Sequence, residues 1–593
     1  MRTTRLTLSL LSDREPTTAD TLVVLLHAYT LSAASMASVA QAARNAYATQ
    51  EKLVDLLVPE LPIRSIFSCV DPNVLTRGII DLIDAWWEGR ARAGDGGYRR
   101  LVFVGHSLGA LLARKAYVAA CGERPGAPLE LPLRLSGPRA WTERVGRIVL
   151  LAGMNRGWRI SHHLSIPKAI VWSFGVLVGR VMWATMRKWP LILTIRRGAE
   201  FVTQLRIQWI MLRRPAADSN GSADGRGRAL TIQLLGSVDD MVAPDDNVDL
   251  EAGRDFIYLD VPYSGHGNVI QMDDPRHGDG RRNVFQLALT GSLDELRAAA
   301  VLPEDSEPEP PRLDVTDVIF VIHGIRDLGY WTQKIARRAK AIGTKKERTF
   351  ATVTSTYGYL PMLPFLLPWQ RRIKVEWLMD QYAEALSLYP CASFSFVGHS
   401  NGTYLLARAL EIYPCCQFRH VVFAGSVVRR DYRWERFLPE TGTGQVRAVL
   451  NLVASRDWVV AWFPKLFQTL RLQDLGSAGH DGFESGALRW VRQIGFVEGA
   501  HSAALREDNW EAISRFVVHG PETNDIPVVR RRAAWVAIPG AFPPIVWAVG
   551  IALIVLLGGL VRSAAVSLGA GDGGQALALA AYAFGLWLVA TRV

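Results

Sequence analysis

The chain has 593 residues, of which 49% are hydrophobic and 21% charged. That make-up buries a core and excludes a disordered or low-complexity protein, and at ~150 residues per domain it allows up to about four units. The 67 Lys and Arg against 56 Asp and Glu leave +11, too dilute over this length to signal nucleic acid as a partner. Five cysteines, Cys69, Cys121, Cys391, Cys415 and Cys416, include no C-x-x-C pair. This speaks against a disulfide framework or structural zinc and favours a reducing compartment.

The N-terminus, MRTTRLTLSLLSDREP, lacks the continuous apolar core of a secretory signal. TLVVLLHAYT then predicts an apolar strand ending at His27. LVFVGHSLGALLARKAY predicts a strand, a sharp turn at Gly105-His106-Ser107-Leu108-Gly109 and a helix, and RIVLLAGMNRGW predicts a further strand. An insertion from about 155 to 228 carries Trp158, Trp172, Trp183, Trp189 and Trp209 among apolar runs and basic residues. It fits a lid lying against a membrane interface, or a cap over the first domain's core. Its end, Asp218 to Arg228, reads as a flexible loop. ALTIQLLGSVDDMVAP and DVPYSGHGNVI add two more strands.

Residues 301–314, VLPEDSEPEPPRLD, hold four prolines and five acids, the composition of an extended linker. The pattern then begins again. DVIFVIHGIRD ends a strand at His323, FSFVGHSNGTYLLARAL holds Gly398-His399-Ser400-Asn401-Gly402, and HVVFAGSVVRRDYRW follows. His27 precedes Ser107 by 80 residues and His323 precedes Ser400 by 77. A whole domain is duplicated, as residues 1–300 and 315–525, each an α/β unit with a mostly parallel sheet flanked by helices. A short insertion, GYLPMLPFLLPWQRR, is placed to line the second pocket.

The tail differs from both halves. Ala533 to Val561 carries no charge, Ile545 to Val561 is almost wholly apolar, and a second apolar stretch runs from Ala576 to Ala590. Crossing a hydrocarbon core takes ~20 residues, so 533–593 is expected to anchor the chain with one or two transmembrane helices. Arg530, Arg531 and Arg532 precede the first span. The positive-inside rule then puts the two large domains on the cytoplasmic side.

G-x-S-x-G appears twice, each time between an apolar strand and a helix, which is the setting of a nucleophile elbow. A serine there stands above the sheet on a strained turn, and the helix that follows aims its N–H groups and positive end at developing negative charge. Over 20–290 and 317–518 the chain resembles the α/β-hydrolase superfamily, and within it lipase- and esterase-like serine hydrolases. The resemblance implies the order nucleophile, acid, histidine: Ser107, Asp239 and His266 in the first half, Ser400, Asp457 and His501 in the second. Aligning Ser237 with Ser455 favours Asp239 over its neighbour Asp240. His480 is a competitor to His501.

The resemblance also implies oxyanion holes built from backbone N–H groups, those of Leu108 with Ala28 and Tyr29, and of Asn401 with Gly324 and Ile325. The second half has the His-Gly pair usual in such loops, whereas the first has His27-Ala28. His27, His323, His106 and His399 are expected to organise loops and turns. Ser107 to Asp239 spans 132 residues against 57 from Ser400 to Asp457, a surplus that matches the Trp-rich insertion. The implied activity is hydrolysis of an ester or thioester of a lipid or other apolar acyl compound, with no cofactor and no metal. The competing reading makes one or both domains a non-catalytic scaffold. Oligomeric state is not legible.

Overall fold

The apolar runs become central strands because both of their faces are covered. A computed structural model of the chain describes residues 8–10, 18–92, 97–159, 173, 175–179, 181–182, 185, 189–214, 226–237, 239, 244–249, 253–302, 309–325, 329–344, 348–354, 357–358, 360–521 and 526–591. It divides into two compact units, Met1–Pro311 with Asp380–Leu388, and Arg312–Met379 with Tyr389–Val593.

In the first unit β1 (Thr21–Leu26), β2 (Val54–Leu57), β3 (Arg100–His106), β4 (Val145–Leu151), β5 (Leu230–Gly236) and β6 (Phe256–Val261) form one sheet. Every pairing is parallel and the order is β2-β1-β3-β4-β5-β6. The second unit repeats it with β7 (Asp317–Ile322), β8 (Phe350–Val353), β9 (Ser393–His399), β10 (Phe418–Ala424), β11 (Val446–Ala454) and β12 (Val491–Val497). Its order, β8-β7-β9-β10-β11-β12, is the same and again wholly parallel. Winding reverses between β1 and β3, and between β7 and β9. Sheets of this kind place their sites at the carboxyl ends of the strands flanking that reversal.

Successive strand residues point to opposite faces. Leu22, Val24 and Leu26 enter one core with Leu101 and Phe103, while Val23 and Leu25 enter another with Val102 and Val104. Both faces are dry, so the strands are continuous apolar runs rather than alternating ones.

Three helices matter to the first unit. α1 (Pro72–Arg90) starts at Asp71, whose side chain accepts the Asn73 N–H, with proline in the first turn. α2 (Leu108–Cys121) follows β3 and is buried along its whole length. α3 (Glu200–Arg213), the described C-terminal part of the Trp-rich insertion, packs on α2. Trp209 on α3 is fully buried, with the Arg114 and Arg213 guanidiniums each 4.6 Å from its ring and Phe256 edge-on at 5.8 Å. Arg206 is buried in a bidentate pair with Asp249. This stretch belongs to the core of the unit rather than to an outer cover. Trp158 is buried and its indole donates to the Ile192 carbonyl at 2.9 Å. Trp172, Trp183, residues 160–172 and most of the loop 218–228 lie outside the described residues.

In the second unit α4 (Asn401–Ile412) follows β9 and α5 (Trp458–Trp462) follows β11. The tail forms α6 (Ala534–Ala541), α7 (Pro543–Ser567) and α8 (Asp572–Thr591). α7 has 25 residues, a mean hydropathy of 2.5 over its most apolar window and 6% of that window buried. At about 37 Å it is long and apolar enough to cross a membrane, and it is the one such helix among the described residues. The second apolar stretch lies in α8, which packs along α7, the Tyr582 hydroxyl donating to the Ile554 carbonyl at 2.8 Å.

Because Trp209 fills the first core, Trp209→Ala is expected to cost about 3–5 kcal/mol, as for buried large-to-small changes elsewhere. Chemical denaturation of the first unit's transition measures it. A loss below about 0.5 kcal/mol, the scale of surface substitutions, would show α3 to be peripheral.

Candidate active sites

Each serine sits in a conformation that side chains seldom adopt. Ser107 has φ 54° and ψ −113°, and Ser400 has φ 50° and ψ −116°. Such backbone costs on the order of 1–3 kcal/mol and persists only where its surroundings enforce it. The Ser107 N–H donates to the Leu151 carbonyl and the Ser400 N–H to the Ala424 carbonyl, both at 3.0 Å, which ties each elbow to the next strand. On the other side, a Cβ added to Gly109 would lie 2.2 Å from the Leu26 carbonyl oxygen, and one on Gly402 2.5 Å from that of Ile322. Only glycine lets the helix press that closely on β1 and β7.

In the first unit, His266 Nε2 lies 2.8 Å from Ser107 Oγ, and His266 Nδ1 lies 3.0 Å from Asp239 Oδ2. Asp239 also accepts the Asn247 side-chain amide at 2.8 Å. Ser107 and His266 are buried, as is the Asp239 carboxylate. With Nδ1–H donating to the carboxylate, Nε2 is left to accept the serine proton. Asp240 lies outside the described residues.

The neighbouring histidines hold this arrangement. His106 Nε2–H donates to the His266 carbonyl at 2.8 Å, and burial, then the nearby His266, pushes its pKa down to about 3. It is therefore neutral and ties the elbow to the loop carrying His266. His27 Nδ1–H donates to the Ala28 carbonyl at 2.9 Å, and its Nε2 accepts the Leu61 N–H at 3.0 Å. Burial lowers its pKa, so a single neutral tautomer braces the loop of Ala28 and Tyr29. The Tyr29 hydroxyl donates to the Ile66 carbonyl at 2.7 Å. The Leu108 N–H lies in the first turn of α2, where amides have no partner within the helix.

In the second unit, His501 Nδ1 is 2.9 Å from Asp457 Oδ2, and Asp457 Oδ1 accepts the Val460 N–H at 3.0 Å, capping α5. Burial alone would lower the His501 pKa, but attraction and hydrogen bonding to Asp457 outweigh it, and the net direction is upward from 6.5. Ser400 and His501 line one cavity of about 950 Å³, with no hydrogen bond between them. Ile325, Trp331, Met362, Phe365, Trp458 and Trp462 share its wall, so the insertion carrying Met362 and Phe365 does line the second pocket. His480 is not on that wall. It lies 3.8 Å from Asp481, and burial foremost brings its pKa to about 4.

The loop after β7 fits closely against the second elbow. A Cβ on Gly324 would fall 2.8 Å from Ser400 Cβ, so this loop lies directly on the serine. His323 Nδ1–H donates to the Gly324 carbonyl at 2.8 Å. Tyr357, which the sequence gives no reason to single out, stacks on His323 at 4.5 Å and donates to its carbonyl at 3.1 Å. The Asn401 side-chain amide donates in turn to the Tyr357 hydroxyl at 3.1 Å. The residue after Ser400 and the loop opposite are thus joined through one tyrosine. Asn247 is the other unforeseen partner. Among the described residues, no group of three His, Cys, Asp or Glu could hold a metal ion.

Strand order, elbows and covering helices make each unit an α/β-hydrolase fold. No family model matches the sequence, and no curated protein matches it. Solved structures similar to parts of it include the thioesterase domain from the curacin biosynthetic pathway, at 11% identity and a TM-score of 0.26, covering 48% of this chain and 98% of that one. The peroxisomal α/β-hydrolase Lpx1 of Saccharomyces cerevisiae is similar at 12% identity and a TM-score of 0.28, covering 50% of this chain and 84% of that one. Carboxyl esterase 2 of Tuber melanosporum has 12% identity and a TM-score of 0.28, covering 50% and 89%.

The upward shift of His501 sets a pH dependence for the second site. A raised pKa keeps the imidazole protonated to higher pH, so the neutral base is lost as pH falls through a value above 6.5. In a Ser107→Ala chain, fluorophosphonate labelling of Ser400 is expected to show its acid limb above 6.5. His501→Ala should lower that rate by at least about 10³-fold, with His480→Ala far milder. A limb below 6.5, or equal damage from the two variants, would contradict this assignment.

Proposed function

We propose that the chain is a membrane-anchored serine hydrolase that cleaves an ester or thioester, with a lipid or another apolar acyl compound as substrate. The reading is carried by the Ser107–His266–Asp239 relay, at 2.8 and 3.0 Å, behind a serine held at positive φ. Ser107 Oγ attacks the acyl carbonyl carbon while its proton passes to His266 Nε2. Asp239 steadies the imidazolium, and the N–H groups of Leu108 and of the Ala28–Tyr29 loop receive the oxyanion. The bond to the leaving oxygen or sulfur then breaks, and that atom takes the proton from His266. Water repeats the sequence on the acyl-enzyme, giving a carboxylic acid and restoring Ser107.

Ser400, His501 and Asp457 would act alike in the second unit, with N–H groups of Asn401, Gly324 and Ile325 as oxyanion donors. There the serine–histidine bond has to form when substrate enters, as catalytic bonds often do. Its absence favours a second reading for this unit alone, a binding module that keeps the fold without turnover. In this reading α7 is the anchor, supported by its length and hydropathy, and the positive-inside rule applied to Arg530 to Arg532 before it favours the cytoplasmic side for the units.

The full chain is expected to take up two fluorophosphonates, Ser107→Ala and Ser400→Ala one each, and the double variant none. Full labelling of the double variant would overturn the nucleophiles. Labelling confined to Ser107 would make the second unit a binding module. Membranes washed with carbonate should retain the chain, and its release would remove the anchor.

A further inference from the structure

The cavity at Ser400 has a wall that does not belong to the hydrolase fold. Val546, Trp547, Gly550, Ile551 and Ile554 of α7 line it together with Ser400 and His501. These positions follow i, i+1, i+4, i+5 and i+8, a single helix face about 12 Å long. The helix is held there by direct contacts. The Trp547 indole donates to the Trp462 carbonyl at 2.7 Å, and its ring lies 5.6 Å from Phe463. Gly550 stands in the middle of this face, and a Cβ built on it meets nothing within 4 Å. The wall is therefore open where the helix crosses the cavity.

α7 is the same helix that is long and apolar enough to cross a bilayer, and its lining residues lie in its N-terminal half. Once it spans, that half lies within the leaflet nearest the domain. Trp535, Ile538 and Phe542, just before it, are exposed apolar side chains of the kind that settle at a membrane interface. A cavity of about 950 Å³ with apolar and aromatic walls suits a long hydrocarbon chain far better than a polar substrate. Resting on the serine hydrolase reading above, we infer that the second site takes its substrate sideways from the bilayer: the acyl chain of a membrane lipid slides along the Val546–Ile554 face of α7 and presents its carbonyl to Ser400.

The test uses the full chain with Ser107→Ala, reconstituted in phosphatidylcholine vesicles, and two probes, hexadecyl and ethyl fluorophosphonate. The quantity read is the ratio of their labelling rates at Ser400. The hexadecyl probe is expected to react faster by about tenfold or more, since each buried methylene is worth roughly fourfold. Gly550→Phe, which fills the open stretch of wall, should lower that ratio by about tenfold. Gly559→Phe, also with open space at its Cβ and away from the cavity, should leave the ratio unchanged. A ratio near one in the parent chain, or one that Gly550→Phe does not move, would overturn the proposal. No labelling of Ser400 by either probe would instead refute the hydrolase reading of the second unit.

Discussion

Each centre depends on one backbone constraint, a serine forced to positive φ between a strand and a helix. The strain, on the order of 1–3 kcal/mol, is sustained by what lies on either side. One side is a main-chain bond to the next strand, from Ser107 to Leu151 and from Ser400 to Ala424. The other is the approach of the following helix to the first strand, so close that Gly109 and Gly402 have no room for a side chain. Both contacts use atoms of the central strands, which are buried on both faces and cannot shift without opening two cores. The position of each elbow serine is thereby a property of the sheet rather than of a loop.

The duplicated frame is kept more strictly than the groups around it. Strand order is the same and the elbow dihedrals match to within a few degrees, yet the loops after the first strand of each unit are braced by different means. His27 is fixed by the Leu61 amide, whereas His323 is fixed by a stacked tyrosine that also holds Asn401. The acids differ as well. Asp239 is oriented by the Asn247 side chain, Asp457 by an amide in the turn that it caps. Each solution supplies the same thing, a carboxylate that faces the histidine and accepts a second hydrogen bond that orients it, as suits a buried charge.

How far the sequence could be read follows from the range of each interaction. Strands, elbows and the choice of Asp239 rest on short patterns, apolar runs bounded by glycine and an acid at a set distance after a strand, and these are local. The histidines could be placed because each follows the last strand of its half. Tyr357 and Asn247 escaped because nothing in their neighbourhood marks them. The partners of Tyr357 at the second site, His323 and Asn401, are 34 and 44 residues away from it. Trp209 was open to two readings for another reason: aromatic, apolar and basic residues together describe a membrane-facing helix and a core helix equally. Burial separates the two, with Arg114 and Arg213 against the indole and Arg206 paired to Asp249. That the tail holds a helix long and apolar enough to span a membrane is legible from length and hydropathy, but its place beside Ser400 is tertiary information.

That placement ties the Asp457–His501 pair and the apolar tail to one short segment. α5 begins immediately after Asp457, whose carboxylate both caps it and holds His501. Four residues on, the carbonyl of Trp462, the last residue of α5, receives the Trp547 indole of α7. Trp535 of α6 meets Trp462 edge-on at 6.3 Å, and the Ala533 N–H donates to the Ser455 carbonyl at 3.1 Å. Residues 455–463 therefore carry the acid on one side and the tail on the other. A tail joined to its domain only by a flexible linker could be removed without touching the site. This one cannot, because removing α7 would strip one wall of the cavity and expose Trp462 and Phe463 to water. The second domain and its apolar helix form one structure, and the setting of Ser400 is a cavity completed by a helix that is long and apolar enough to cross a bilayer.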